Sequence, residues 1–201
     1  MNDVGGIELQ TYDTSKRLLY INDVIDSNLA KEFTEKLNEI DFEDMMIMRS
    51  NLQKLAMFGV NVDTLDKPPI KVFMNSPGGH VYDALSIYDM ISDREDIICI
   101  CSGKVMSAAT FILLAFNEKL RYATKNTTFM IHSPSSFLYG KLKDMVDDVN
   151  ETKRLDKIIT DIYLKRSKIP KALLTDIYKE KKDYFFTAKE ALKYGMIDKI
   201  I

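Results

Sequence analysis

The chain of 201 residues has no tryptophan, two cysteines, two histidines and five prolines, and each scarcity removes a class of protein. Cys99 and Cys101 stand two apart on a predicted strand, so their side chains share one face. Pairs so spaced rarely form a disulfide, and both read as reduced core residues of a cytoplasmic protein. Without a second cysteine pair, and with the histidines remote, no zinc site is expected, nor any other metal or cofactor. Long apolar runs are also missing. The longest, Phe111 to Phe116, falls far short of a bilayer span, so no membrane is expected. The opening MNDVGGIELQTYD has neither the basic start nor the apolar centre of a secretory signal. A formal net charge of -2 with dispersed lysines and arginines leaves no nucleic-acid surface.

What is present is ordinary for a folded domain: 46% hydrophobic and 29% charged residues, enough for one domain with an elaboration. Organisation centres on Ile97 to Phe116, IICICSGKVMSAATFILLAF. A strand, Ile97 to Cys101, runs through a turn at Ser102, Gly103 and Lys104 into a helix from Met106 that is apolar almost all round. Ser107 lies where strand gives way to helix. Its hydroxyl has two readings, a helix cap or a nucleophile beside N–H groups that favour developing negative charge, the Ala108 N–H among them.

Residues 1–16 are polar and read as a mobile arm, and residues 17–201 as one domain. Arg17 to Ile21 is a short strand, followed by cap candidates Asp26, Ser27 and Asn28 and a helix burying Leu29, Phe33, Leu37 and Ile40. Residues 41–67 form a Met-rich segment, read as a second helix from Phe42 to Met57 and then a loop to Pro68-Pro69. The strand Ile70 to Met74 ends in the predicted turn Asn75-Ser76-Pro77-Gly78-Gly79, and a helix follows with Val81, Ala84, Leu85, Tyr88 and Ile91 at helical spacing. A further strand, Thr128 to Ile131, ends at His132. Strand and helix alternating in this way predict an α/β fold with a largely parallel sheet, whose sites gather beyond the carboxyl ends of strands. Gly79, Ser107 and His132 all fall there. Lys141 to Lys165 reads as an amphipathic helix longer than one small core needs, which fits packing against a second subunit. Thr187 and Glu190 form a capping box near the end of the chain, and Tyr194-Gly195 closes that helix.

Nucleophilic hydrolysis needs a hydroxyl, a base, a group that orients the base, and donors for the oxyanion. His80 follows the Gly pair and suits a solvent-facing turn. His132, ending its own strand, suits the base better.

Four segments, NSPGG at 75–79, GKVMSAATFILLA at 103–115, MIHSP at 130–134 and DYFFTAKEALKYGMIDKII at 183–201, resemble successive signatures of the Clp peptidase family, the proteolytic subunit of ATP-dependent Clp protease and its phage relatives. The resemblance runs from about Arg17 to Ile201. It implies a crotonase-like fold, a repeated ββα superhelical core with a protruding long-helix handle at about 135–165. It implies a serine endopeptidase acting on unfolded proteins or short peptides inside an oligomeric chamber, without cofactor. Ser107 takes the place of the family's nucleophile, His132 of its base and Asp183 of the third triad member, with Asp198 as a rival that looks structural. The backbone N–H groups of Gly79 and Ala108 would make the oxyanion hole. Implied partners are further copies of the chain, as heptameric rings stacked in pairs into a tetradecamer, and an AAA+ unfoldase of the Clp ATPase type.

Three departures stand out. Lys182 replaces an arginine usual before the triad aspartate, and an amine lacks the forked geometry of a guanidinium. Residues 41–67 lengthen a connection that is short in relatives. Ser135 to Gly140 is bulkier than the family's Gly-rich segment. These departures imply a divergent or phage-encoded member. Alternatives are a phage-type capsid maturation protease, a catalytically silent ring-forming paralogue, and an acyl-CoA enzyme on the shared fold.

Overall fold

A computed structural model describes residues 3–4, 6–133 and 141–201. The segment from Ser135 to Gly140, expected to begin the handle, lies outside the described residues, as does Pro134 of the MIHSP signature. Strand β1 (Asp3–Val4) pairs antiparallel with β2 (Ile7–Glu8). The domain then alternates β3 (Leu18–Ile25), α1 (Ser27–Met57), β4 (Ile70–Gly79), α2 (Val81–Ile91), β5 (Ile97–Met106) and α3 (Ala108–Leu113). Strands β6 (Arg121–Ala123) and β7 (Thr128–Ile131) follow, then helices α4 (Leu142–Arg166) and α5 (Lys171–Glu180). Strand β8 (Tyr184–Thr187), α6 (Ala188–Lys193) and β9 (Lys199–Ile200) complete the chain.

The sheet runs β3-β4-β5-β6-β9 with every neighbour parallel, as the strand–helix alternation predicts. Strand β5 changes partner along its length. Cys99 to Cys101 pair with β6, whereas Lys104 to Met106 pair with β7, which in turn pairs antiparallel with β8. Alternate residues Ile70, Val72 and Met74 of β4 and Ile97, Cys99 and Cys101 of β5 point into the core, where α1, α2 and α3 cover them. The cysteine thiols are fully buried and free of a disulfide, their sulfurs 3.8 Å apart in a thiol–thiol hydrogen bond.

Several local expectations need correction. The two helices expected on either side of Asp41 are one helix, α1, because its buried stripe never breaks: Phe33, Leu37, Ile40, Asp44, Ile47 and Asn51 continue at three- and four-residue steps. The polar members of that stripe have partners. Asp44 forms a two-pronged ion pair with Arg17 and a further bond to Lys67, which reaches Asp96; Arg94 joins Asp96 to Asp41. The capping aspartate is Asp26, whose side chain accepts from the Leu29 N–H. Residues 7–12, part of the segment expected as a mobile arm, lie against α1. Ile7 and Leu9 pack on Leu55, and the Asn51 amide bonds both the N–H and the C=O of Gln10. The Asn75-Gly79 segment, expected as a turn, is the second half of β4, with a register shift against β5 after Met74.

Candidate active site

Ser107 sits between β5 and α3 with φ 50° and ψ -123°, a conformation that L-residues seldom adopt. Its side chain makes no cap hydrogen bond, so the cap reading has no support in the structure. The Ser107 N–H donates to the Met130 carbonyl (2.8 Å), which ties the turn to β7. Oγ then stands 2.7 Å from Nε2 of His132, and Nδ1 of the same ring stands 3.1 Å from Oδ1 of Asp183. A carboxylate accepts only, so the proton lies on Nδ1, and Nε2 is left to accept from the serine hydroxyl.

The strand registers explain the meeting. Parallel pairing sets Met106 opposite Met130, and antiparallel pairing sets Ile131 opposite Tyr184. Carrying that second register one residue further sets His132 against Asp183. Tyr184, next to Asp183, is fixed by its hydroxyl contact with Tyr194 (2.9 Å), which, with burial, pushes its phenol up to about 12. Lys182 pairs with Glu180.

Gly78 passes behind the nucleophile, and Gly79 lies against β3. A Cβ on Gly78 (φ 94°) would lie 2.7 Å from the Ser107 Cβ and 2.8 Å from the Ala108 nitrogen, and one on Gly79 would lie 2.1 Å from the Ile25 carbonyl oxygen. Only a glycine at 78 allows the β4 backbone this close to the start of α3, and only a glycine at 79 allows it this close to Ile25 of β3. That short helix is anchored at its far end as well. Arg166 donates to the carbonyls of Leu114, Ala115 and Phe116, and the buried Arg121 donates to Phe116 and Arg166. Beside Ser107 is an apolar pocket of about 20 Å³, walled by Val81, Phe111, Ile159 and Tyr163. A larger cleft, about 760 Å³, lies between residues 9–14 and the loop 65–68, with Asn51 of α1 at its wall, and shares no lining residue with it.

Of the residues singled out in the sequence, Ser107, His132 and Asp183 come together and Ala108 opens α3 directly after the serine, whereas Gly79 packs against Ile25 of β3, next to the Gly78 that approaches Ser107. His80 is elsewhere, its Nδ1 3.2 Å from Asp83, and Asp198 accepts from the Arg121 backbone N–H (3.0 Å). Sequence reasoning missed Thr110 and Tyr163, whose hydroxyls meet beneath the nucleophile. Within an apolar run and a long amphipathic helix, neither carried a signal.

A hydroxyl, an imidazole and a carboxylate in this order, on the rim of a mostly parallel α/β sheet, define the class: a serine-hydrolase-like arrangement. The comparisons narrow it. A family model described as Clp protease matches residues 49–201. Relatives named ATP-dependent Clp protease proteolytic subunit include one from Deinococcus radiodurans, 37% identical over 66% of this chain and 64% of its own length, and one from Borreliella afzelii, 35% identical over 66% of each. Subunit 2 of Pseudomonas aeruginosa is 28% identical over 98% of this chain and 86% of its own. The match thus spans slightly less than two thirds of the Deinococcus and Borreliella proteins. The chain belongs to the Clp protease family, a family of serine-type peptidases.

Proposed function

We propose that the chain is a serine endopeptidase in which Ser107 is the nucleophile, His132 the general base and Asp183 the group that orients the imidazole. The observation that carries this reading is the 2.7 Å approach of the Ser107 hydroxyl to Nε2, with Asp183 at the opposite nitrogen. His132 takes the hydroxyl proton as Oγ attacks a peptide carbonyl, and Asp183 steadies the imidazolium that forms. The N–H groups of Gly79 and Ala108 receive the oxyanion. The protonated His132 then gives its proton to the leaving amine, and water, deprotonated by the same ring, hydrolyses the acyl-enzyme.

The chain works as an oligomer, in stacked heptameric rings with an AAA+ unfoldase supplying substrate. Support comes from the relatives' names, which describe a proteolytic subunit of an ATP-dependent protease. It comes also from surfaces one chain leaves uncovered. Residues 143–154 of α4 include none that is buried, and Val146 and Val149 stand exposed, as a handle awaiting a second copy would. Among the described residues no helix is long and apolar enough to cross a membrane.

The test is labelling of the purified protein with a fluorophosphonate and location of the adduct by mass spectrometry. An adduct at Ser107, absent from Ser107→Ala, is expected. No adduct on a well-formed oligomer would overturn the reading and leave a silent scaffold in its place.

A further inference from the structure

We infer that the buried hydroxyl pair of Thr110 and Tyr163 positions the nucleophile and its oxyanion donor, linking helix α4 to the peptide unit between Ser107 and Ala108; this rests on the reading of Ser107 as nucleophile. The Ser107 carbonyl accepts twice from Thr110, from its N–H (2.9 Å) and from Oγ1 (2.5 Å). That carbonyl and the Ala108 N–H belong to one planar peptide unit, so holding the oxygen at one end aims the N–H at the other. The hydroxyl of Thr110 has a single proton, already spent on Ser107, so in its contact with Tyr163 the tyrosine donates. Burial pushes the Tyr163 phenol upward, which keeps it protonated as that donor. Thr110 and Tyr163 are 0% and 2% exposed, so water does not compete for either bond.

The donor chain therefore runs Tyr163 to Thr110 to the Ser107 carbonyl, from the rear half of α4 to the reacting centre. Its function is to hold a backbone conformation, φ 50°, that a serine would otherwise leave. The same ring walls the small pocket beside Ser107, so Tyr163 packs against the nucleophile's turn as well as supporting it through Thr110. The competing account is that Thr110 makes an incidental back-bond of the kind common in helices, and that Tyr163 is only satisfied by it. That account predicts lost stability and unchanged chemistry.

The experiment measures the second-order rate of fluorophosphonate labelling at Ser107, kcat and KM on a fluorogenic peptide, and Tm, for Thr110→Val, Thr110→Ser, Tyr163→Phe and the Val/Phe double variant. Thr110→Val is expected to label about tenfold more slowly or worse, with the loss in kcat and not in KM, because the oxyanion donor loses its aim. Thr110→Ser restores the hydroxyl and labels within about threefold of wild type. Tyr163→Phe loses less, since Thr110 still donates, and adds nothing in the Thr110→Val background. Thr110→Val labelling at the wild-type rate, whatever its Tm, overturns the positioning role. Should Thr110→Val fail to fold, a folded Tyr163→Phe with wild-type kcat and labelling rate overturns it instead. A wild type that never labels at Ser107 overturns the nucleophile assignment, and the positioning role with it.

Discussion

The hydroxyl of Ser107 and Nε2 of His132, 25 residues apart in sequence, stand 2.7 Å apart because β5 and β7 pair in parallel immediately before them. Asp183 reaches the other ring nitrogen because β8 pairs antiparallel with β7. All three groups thus follow from backbone ladders, the stiffest parts of the fold, and the site is pre-organised within a single chain.

Asp183 has a side chain 55% exposed, so its orienting effect is screened by water. Asp183→Asn is expected to lower kcat about 10²-fold, against roughly 10⁴-fold where the orienting carboxylate is buried. Peptide turnover checks this, and an unchanged kcat would remove Asp183 from the mechanism.

Gly78→Ala forces a methyl into the Ser107 turn, so activity is expected to fall about 10²-fold or more. Gly59 has a similar φ, 76°, but open space around it. Gly59→Ala should cost about 1 kcal/mol of backbone strain and leave turnover intact. Comparing turnover and thermal melts of the two variants separates close approach from backbone freedom.

Arg17 and Asp44 are 4% and 6% exposed and hold the middle of α1 to the start of β3. Asp44→Ala leaves the guanidinium buried without its main partner and is expected to cost about 3 kcal/mol, read as a lower urea midpoint. An unmoved midpoint would mean that the pair does not form.

Burial alone would raise the Asp96 carboxyl, but hydrogen bonds from Arg94 and Lys67, with their charges, outweigh it and hold it at about 2. The folded pKa is depressed below the unfolded value of about 3.9. This contribution is therefore complete above about pH 4 and lost as pH falls through 2, on the order of 1–2 kcal/mol. Acid titration of stability should show that loss in wild type and a flatter profile in Asp96→Asn. Equal profiles would refute it.

Legibility in the sequence followed the range of the forces. Helix α2, the Thr187–Glu190 capping box and the strand ending at His132 were readable because periodicity and caps act within a few residues. The unbroken α1 was not, because Asp44 and Asn51 look like surface residues until Arg17 and Gln10 arrive from elsewhere in the chain. The Asn75-Gly79 segment has the composition of a turn, yet β3 and β5 supply strand partners that local chemistry does not reveal.

By itself, the sequence determined the alternation of strands and helices, the parallel sheet and the candidates Ser107 and His132, since residue type and short-range spacing carry that information, whereas Asp183 was implied only by the resemblance to the Clp peptidase family. Tertiary structure alone decided that His132 and Asp183, rather than His80 and Asp198, stand in line with Ser107, and that Thr110 and Tyr163 lie beneath it. The reason is that strand register converts residues far apart in the chain into neighbours at hydrogen-bond distance, and no local pattern encodes a register between distant strands.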